Sequence, residues 1–491
     1  MIRFLSIFVL LASGSMAQVE LTTISTASAH PVLTPDSPDY TFGVEMDPDG
    51  VHCYVTVSGA LGLPGSTGYM NNQVLKIDMT AGAIVGQAIV GLYPEDIVIR
   101  TNPSGQTETI FVSAASSGTV TALDASMGYL GDVNLGNCWG YSMFPFEMTL
   151  SPDDNTLYVG SNCAGDLFEI NANPTDPNFL SLQTALTYGE GHATLDIVNS
   201  PTGGNTLIVG GGVSDIDPSW NYLGSHAVID LIDFTSQLSA GAPTTYHVGA
   251  AVTGDWASTT DVLPLPNGQL LIVENSQSRA NLHIFDLSSL TVVKTHNLQL
   301  QIPGLAYLHQ ADVDATGRIV AITSLDTDLI FFDLQSGNVV SKVHYSTSVQ
   351  PSVAKYAPGG DKLVCSFQND EAIRIFDSLP VGLSLSTNGG VAIGSSFTMD
   401  TEGALPFSII GTAFSSFGNT PNLMSGYWVS LTAPIGIFSI LPANASGETT
   451  QFLSVPNDPN LVGLTGHFQG FASTQSGGLV LSNPLTLTVL P

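Results

Sequence analysis

A tight-turn motif rich in Pro, Asp and Gly recurs seven times along the chain, and it constrains the fold more than any other feature. Each copy follows a short apolar run and precedes a second one, so each copy is expected to close a β-hairpin. The stretch "SPDDNTLYVGSN" shows how strand-favouring residues follow the turn directly. The seven turns are "DPDG" (47–50), "NPSG" (102–105), "SPDD" (151–154), "SPTGG" (200–204), "LPNG" (265–268), "DATG" (314–317) and "APGG" (357–360).

The spacing of these turns indicates a single kind of structural repeat. Successive turns start 43 to 55 residues apart, except for one interval of 65 residues before the fifth turn. Each unit offers a third strand that ends near an acidic or amide residue, and most units offer a fourth. A period of about 40–50 residues with four strands is typical of β-propeller blades. The sequence therefore predicts an all-β protein with a seven-bladed β-propeller.

The turn-and-strand pattern also carries a family resemblance. "SPDDNTLYVGSN", together with strands of the type "IFDL", resembles the YVTN/lactonase-like family of seven-bladed β-propellers over about three-quarters of the chain. The resemblance implies the fold, and it brings no catalytic residue with it because the family's motif is structural. The seventh unit has three strands and ends at "AIRIFDS" (372–378). The segment "VELTTIST" (19–26) is expected to supply its fourth strand, which predicts a closed propeller domain at 18–380.

Residues 381–491 break the period. Short alternating strands separated by Gly, Pro and Asn predict a small β-sandwich domain there. The run "LPANASGETTQFLSVPNDPNLVGLTGHFQGFASTQSGGLVLSNPLTLTV" resembles a C-terminal module of large secreted bacterial proteins. That resemblance implies export more than it implies an activity.

Charge excludes some partners. The chain has 10 Lys and Arg against 41 acidic residues, for a net charge of −31. A nucleic-acid backbone or an anionic membrane surface needs clustered cations, so neither is an expected partner. The field favours cations or neutral ligands.

The first 17 residues resemble a secretory signal peptide. Arg3 precedes an apolar core, and small residues end the segment before Gln18. The alternative is a membrane anchor, but the apolar run is too short to span a bilayer comfortably. We therefore predict an exported protein, extracellular, periplasmic or at the cell surface, with no transmembrane segment in the mature chain.

The start of each inner strand offers candidate site residues. In a propeller these positions converge on the upper mouth of the central channel, where a ligand site is usually built. Carboxylates and imidazoles there could bind a divalent cation such as Ca²⁺ or act as acid and base. The alternative is a set of solvated polar residues that line a wet channel. The candidates are Glu45, Glu95, Glu147, His192, Asp261, His309 and Ser352, of which His192 and His309 are the catalytic candidates.

Three segments are predicted to be loops on the same upper face, at 58–72, 136–144 and 212–226. Carboxylates beside aromatic rings could bind a sugar or a calcium ion, and an insertion in one blade often marks the binding face. The alternative is a surface loop without a binding role, whose aromatic residues pack on the edge of the blade. The candidate metal ligands are Asp215 and Asp217, and the candidate ligand-binding aromatic residues are Trp139, Trp220 and Tyr222.

The four cysteines divide into two pairs. Cys138 and Cys163 are expected on the upper rim of blade three, which predicts a disulfide in an oxidising compartment. Cys53 and Cys365 belong to second strands of neighbouring blades, where stacked sheets lie about 10 Å apart. These two are therefore predicted to be buried free thiols.

Three functions fit these observations. The leading one is a secreted or cell-surface binding protein that holds a small molecule, a glycan or a protein on the upper face of the propeller. The second is a lactonase-like hydrolase or lyase with a metal or a His and carboxylate site at the channel mouth. The third is a structural envelope component. The sequence contains no Gly-x-Ser-x-Gly elbow, His-Glu-x-x-His or phosphate loop, so no contiguous motif favours catalysis.

Overall fold

The structure is a computed structural model of the chain. It describes residues 20–26, 40–58, 72–138, 141–161, 166–187, 192–199, 204–216, 222–234, 243–250, 252–253, 255–265, 268–315, 317–335, 337–346, 349–358, 362–368, 370, 372–377, 384–388, 391–402, 409–416, 422–424, 427–429, 436–443, 449–473 and 479–490.

The larger of two compact units comprises Glu20–Gly337 and His344–Ser378. Seven antiparallel sheets, here called blades 1 to 7, are built on this unit, and the segment Asn338–Val343, which is grouped with the other unit, contributes to the last strand of blade 6. The strands of each blade are called inner, second, third and outer in order of pairing. Blade 1 has Thr41–Met46, His52–Val57, Gln73–Asp78 and Ala83–Ile89; blade 2 has Pro94–Thr101, Thr107–Ala114, Thr119–Asp124 and Tyr129–Asn134; blade 3 has Pro145–Leu150, Thr156–Ser161, Asp166–Asn171 and Leu182–Thr187. Blade 4 has His192–Asn199, Asn205–Ile216, Tyr222–Phe234 and Pro243–His247; blade 5 has Ala257–Pro264, Gln269–Ser276, Ala280–Asp286 and Thr291–Asn297; blade 6 has Leu308–Val313, Ile319–Ser324, Asp328–Asp333 and Asn338–His344; blade 7 has Gln350–Tyr356, Lys362–Gln368, Ala372–Asp377 and Glu20–Ser25.

The seven blades form a closed ring. Each inner strand contacts the inner strand of the next blade, and the inner strand of blade 7 contacts that of blade 1. The outer strand of blade 7 comes from the other end of the chain, because Glu20–Ser25 pairs antiparallel with Ala372–Asp377. The N-terminal strand thereby covers an edge that would otherwise be open to pairing with another chain. These observations establish an all-β, seven-bladed propeller.

Apolar side chains fill the space between neighbouring blades. In one cluster, Phe111 and Val120 of blade 2 pack with Met148 and Val159 of blade 3. Complete burial of a side chain of this size contributes about 1.5–3 kcal/mol. One blade alone would leave such a face exposed to water, so the blades stabilise one another by stacking.

The repeated turn has the conformation that its composition predicts. In the first copy, the N–H of Gly50 donates to the carbonyl oxygen of Asp47 at 3.0 Å, and Gly50 has a φ of +68°. In the third copy, Asp154 occupies the same place with a φ of +55°. Gly adopts a positive φ without steric strain, and Asp tolerates it better than most residues. Hairpin closure therefore accounts for the chemistry of these turns.

A β-bulge interrupts the inner strand of every blade close to its start. Side chains of a regular strand alternate between the two faces, whereas a bulge re-aims one of them. Consecutive residues can then face the same side. The bulges are what bring Glu95 and Asp96 of blade 2, and His309 and Gln310 of blade 6, to one cavity.

Hydroxyl groups of second strands bond to carbonyl groups in the bulges of the next blade. Ser113 donates through Oγ to the carbonyl oxygen of Phe146 at 2.9 Å, between blades 2 and 3. Ser366 donates in the same way to the carbonyl oxygen of Phe42, between blades 7 and 1. These bonds satisfy backbone groups that the bulge removes from the strand ladder. The equivalent contact at the last seam supports ring closure.

The second compact unit is built on Leu379–Pro491. It contains two antiparallel sheets that contribute to one apolar cluster, which includes Leu385, Phe397 and Met399 from one sheet and Phe468 and Leu485 from the other. Two sheets that share a core in this way form a small β-sandwich. Its strands are Ser384–Asn388, Ser396–Glu402 and Thr449–Ser454 in one sheet, Gly436–Pro442, Ile409–Ser415, Thr465–Ser473 and Leu479–Thr488 in the other, and the separate pair Asn422–Met424 and Tyr427–Val429.

Candidate ligand site in the central channel

Two cavities lie along the channel that the inner strands enclose. The upper cavity, at the end where the inner strands begin, has a volume of about 300 Å³. Its lining combines carboxyl groups, aromatic rings and amide, imidazole and ammonium groups: Glu95, Asp96, Glu147, Asp261, Phe42, Tyr93, Phe146, Gln310, Gln368, His309 and Lys355. The lower cavity has a volume of about 620 Å³ and includes Glu45 and Asp196.

A waist separates the two cavities. Asp96, Glu147, Asp261 and Lys355 line both of them. At this level the Nε2 of Gln310, from blade 6, donates a hydrogen bond to Oε1 of Glu147, from blade 3. The bond spans the channel between two non-adjacent blades, so the channel is narrow at this point.

Three carboxylates of the inner strands tie neighbouring blades together. Asp96 of blade 2 accepts from the backbone N–H of Met148 in blade 3 at 2.8 Å. Asp261 of blade 5 accepts in the same way from Ala311 in blade 6 at 2.7 Å. Hydrogen bonds from backbone N–H groups favour the ionised form of a carboxyl group.

The third such carboxylate is Asp312 of blade 6, which accepts from the backbone N–H of Tyr356 in blade 7 at 2.6 Å. It also accepts from the N–H of Val313, the next residue on its own strand. Asp312 therefore has a clear structural role at the seam between two blades.

Lys355 supplies a positive charge among these acidic groups. Burial alone would lower the pKa of Lys355, but the nearby carboxylates of Asp312, Glu45, Asp261 and Asp96 outweigh burial and raise it. Lys355 therefore stays an ammonium ion. It in turn favours ionisation of the surrounding carboxyl groups and limits the rise in their pKa values.

Burial raises the pKa of every carboxyl group along the channel for which a shift is resolved. It raises the pKa of Asp96 and of Asp261 to about 6, against the opposing effects of Lys355 and of backbone hydrogen bonds. The pKa of Glu45 rises to about 7, and that of Asp196 also to about 7. Burial and the charge of Asp96 together raise the pKa of Glu95 to about 8.

His309 has a defined orientation in the upper cavity. Its Nδ1 lies 2.9 Å from the carbonyl oxygen of Ser352, which can only accept, so the proton of the neutral imidazole is assigned to Nδ1. Burial lowers the pKa of His309, although the bond to Ser352 opposes that effect. The neutral ring therefore keeps Nε2 as a hydrogen-bond acceptor.

Aromatic residues precede the inner strands of five blades. Tyr93 stands immediately before blade 2 with a φ of +59°, and Tyr307 before blade 6 with a φ of +52°. Trp256 lies beside Tyr307, with ring centroids 6.2 Å apart. A positive φ in an aromatic residue is unusual and occurs where the surrounding structure imposes it. The five residues, called the aromatic collar, are Tyr40, Tyr93, Phe144, Trp256 and Tyr307.

The structure brings together four of the residues singled out from the sequence. Glu95, Glu147, Asp261 and His309, from blades 2, 3, 5 and 6, all line the upper cavity. Glu45 lies at the lower cavity instead. The reason is register: Glu45 follows the bulge of its strand, whereas the other four lie within or at the end of theirs.

The remaining candidate residues from the sequence are either placed differently or are not fully described by the structure. Ser352 contributes its carbonyl group, as the acceptor for His309, and its side chain is buried. His192 begins the inner strand of blade 4, where the structure describes its backbone only. Outside the described residues altogether are Trp139, Cys163, Asp217 and Trp220, whereas Cys138, Asp215 and Tyr222 are described in their backbone only.

Two predicted loops are corrected by the structure. The segment 212–226 is mostly the end of a long hairpin, because Asn205–Ile216 pairs with Tyr222–Phe234. Strand-favouring residues continue the ladder there, and Val252–Thr253 adds a further pair to it. Within 136–144, a short two-stranded hairpin replaces part of the loop. The segment 59–71 lies outside the described residues.

Asp96, Asp196, Asp312 and Lys355 were missed by sequence reasoning. The available signal was a charged residue inside an otherwise apolar inner strand, as in "EDIVI" or "TLDIV". The aromatic collar was missed too, although an aromatic residue directly before an inner strand is visible in "LYPED" and "AYLHQ".

Among the channel residues that the structure describes, the spacing of ligand atoms does not support a metal site. Among the described residues, Asp47, Asp49 and His52 form the group whose ligand atoms lie within 4.8 Å of one another. Asp47 already accepts from Tyr54 at 2.9 Å, and Asp49 pairs with His52 at 2.6 Å, so turn closure accounts for this group. Cys53 and Cys365 are buried free thiols, as predicted.

Comparisons with known proteins bear on the fold more than on the site. No protein-family model matches the chain. Over 63 residues the chain is 36% identical to a probable GPI-anchored cupredoxin-1 of Arthroderma benhamiae, a match that covers 13% of this chain and 33% of that protein. The chain thus spans about a third of the length of that relative.

A solved structure supports the propeller. The hydrazine synthase of Kuenenia stuttgartiensis superposes with a TM-score of 0.53 over 70% of this chain and 97% of that chain, at 15% sequence identity. At this identity the likeness shows the fold alone. Within the described part of the chain, no helix has the length and apolar character needed to span a membrane.

Proposed function

We propose that this protein is an exported β-propeller of the YVTN/lactonase-like kind that binds a small ligand in the upper cavity of its channel. The observation that carries the proposal is the convergence of Glu95, Glu147, Asp261 and His309 from four blades on one cavity of about 300 Å³. That volume matches the lower end of the range for small-molecule sites. The aromatic collar around the same end supports it.

Export is part of the proposal. Residues 1–17 have the pattern of a secretory signal peptide, and the partial likeness to a GPI-anchored protein is compatible with a place outside the cell. N-terminal sequencing of the protein recovered from the exported fraction should give Gln18 as the first residue. Recovery of the uncleaved chain in the cytoplasm alone would contradict export.

A ligand screen on a blocked cavity tests the binding site. Small cations, sugars and lactones are screened by saturation-transfer NMR against the wild type and the variant Gln368→Trp. Gln368 lines the upper cavity, so an indole there should fill it and abolish binding. The matched control is Gln335→Trp, at an exposed turn. Ligands that bind both variants equally would place binding elsewhere.

A lactonase-like hydrolase is the second candidate, favoured by one observation. The neutral Nε2 of His309 and the carboxyl group of Glu95, whose pKa is about 8, are an acceptor and a proton donor in the same cavity. Hydrolysis of a lactone panel, followed by pH-stat, should then fall at least 100-fold in His309→Ala. Rates equal to the uncatalysed reaction for every lactone would exclude this candidate.

A further inference from the structure

The upper cavity combines acidic groups with aromatic faces. Phe42, Tyr93 and Phe146 line it together with the carboxyl groups described above. The rings of Phe42 and Tyr93 are 5.6 Å apart and tilted by 58° to each other, so they present two differently oriented surfaces. An aromatic face attracts a cation through its quadrupole, most strongly where the cation is removed from water.

Glu95 distinguishes this cavity from an ordinary polar channel. The residue is 7% exposed, and the described residues provide no hydrogen-bond donor to its carboxyl group. The other carboxyl groups of the cavity are engaged: Asp96 and Asp261 by backbone N–H groups, and Glu147 by Gln310. A buried carboxyl group without a partner is unfavourable unless something else pairs with it.

The charged groups of the upper cavity and the spacing of its possible metal ligands limit the class of ligand that it can bind. Four carboxyl groups and a single ammonium group line the cavity, and a bound cation, unlike an anion, favours ionisation of these buried carboxyl groups. No three carboxyl or imidazole ligand atoms among the described channel residues meet the 4.8 Å spacing of a metal site. A cation that carries its own apolar surface fits both the carboxyl group and the rings.

We propose that the upper cavity binds a small organic ammonium ion, with its positive charge beside Glu95 and its carbon substituents against Phe42 and Tyr93. This inference rests on the proposed binding function and names the class of ligand. Cation–π contact contributes about 0.5–2 kcal/mol, and pairing with the Glu95 carboxylate adds to it. Lys355 remains at the waist, where its own carboxylates hold it.

The test compares a cation with its neutral counterpart. Binding of choline and of 3,3-dimethylbutan-1-ol to the full chain is measured by isothermal titration calorimetry at pH 8. The two probes have nearly the same shape and differ in the positive charge. We expect choline to bind at least tenfold more tightly. Equal affinities, or no binding of choline at 10 mM, would overturn the inference.

Two variants test whether Glu95 and Phe42 are responsible for the tighter binding of choline. Glu95→Gln keeps the size of the side chain and should weaken choline binding at least tenfold while leaving the alcohol within twofold. Phe42→Leu should weaken choline binding about threefold or more. A choline affinity that is unchanged in both variants would also overturn the inference. Circular dichroism checks that each variant is folded.

The outcomes separate this inference from the proposed function. If both probes bind equally and both are lost in Gln368→Trp, the cavity is a ligand site that does not recognise the positive charge. If choline does not bind, but another compound from the screen binds the wild type and no longer binds Gln368→Trp, the proposed binding function is supported and the inference about a cation is wrong.

Discussion

The two ends of the propeller channel place similar residues in different surroundings. At the lower end and the waist, carboxylates surround Lys355 and bond to the N–H groups of neighbouring blades, so their charges are compensated within the protein. At the upper end, Glu95 is buried to a similar degree without such a partner, among aromatic rings. The contrast supports the proposed site, because Glu95 is a buried carboxyl group that the described residues leave without a compensating partner.

Removal of the compensating charge should have the largest effect on stability. Lys355→Met leaves Asp312, Glu45, Asp261 and Asp96 without their ammonium ion, and breaking a buried ionic group of this kind costs about 3–5 kcal/mol. Urea denaturation at pH 8 should show that loss. The loss should be smaller at pH 5, where the carboxyl groups can take up protons.

The matched control for this variant is Lys294→Met, an exposed lysine on the outer strand of blade 5. Surface substitutions away from special features change stability by about 0.5 kcal/mol or less. An equal loss in both lysine variants would show that the lower channel does not depend on Lys355.

Loss of a hydrogen bond at the seam between blades 6 and 7 should have the next largest effect on stability. Asp312→Asn keeps one acceptor oxygen but turns an NH₂ group toward a backbone N–H, because Asp312 accepts from both Tyr356 and Val313. A lost buried hydrogen bond of this kind costs about 1–3 kcal/mol. Chemical denaturation should detect it. Wild-type stability in Asp312→Asn would remove the structural role given to this carboxylate.

Neutralisation of Glu95 at the upper end should change the stability in the opposite direction, because it removes a group that is unfavourable in its ionised form. The pKa of Glu95 is about 8 in the folded protein, against 4.5 in the unfolded chain. The folded state therefore binds the proton more tightly, and the stability that the protonated group contributes is lost as the pH rises toward 8. Gln cannot ionise, so Glu95→Gln should be the more stable protein at pH 9, by about 1.4 kcal/mol for each pKa unit by which folding raises the pKa of Glu95.

The pH dependence of that difference is the measurement. Denaturation of both proteins at pH 5 and pH 9 should give nearly equal stabilities at pH 5 and a gap at pH 9. The other titratable groups that line the cavity are present in both proteins, so their titration largely cancels; they are Tyr93, Asp96, Glu147, Asp261, His309 and Lys355. A gap that is the same at both pH values would mean that the pKa of Glu95 is not raised.

The fold was predictable because its signals are local. Turn residues and strand-favouring runs specify each hairpin, and their period counts the blades. The extended hairpin of blade 4 was not predictable in this way, because the segment 212–226 also contains Gly, Asp and Pro, which are typical of loops. Pairing with Val252–Thr253 depends on contacts that a local pattern does not contain.

The candidate site was predictable in part. Strand register was enough to select Glu95, Glu147 and His309, which start equivalent strands. It failed for Asp96, because an alternating strand would turn that side chain away from its neighbour Glu95. The bulge removes the alternation, and a bulge is set by the packing of one blade on the next.

A structure with an anomalous scatterer would locate the ligand directly. Crystals soaked with (3-bromopropyl)trimethylammonium, measured at the bromine absorption edge, report the position of a cation without assumptions about any variant. The account predicts a bromine peak in the upper cavity, with the ammonium group beside Glu95 and the rings of Phe42 and Tyr93. A peak in the lower cavity beside Glu45 and Lys355, or only outside the channel, would contradict it.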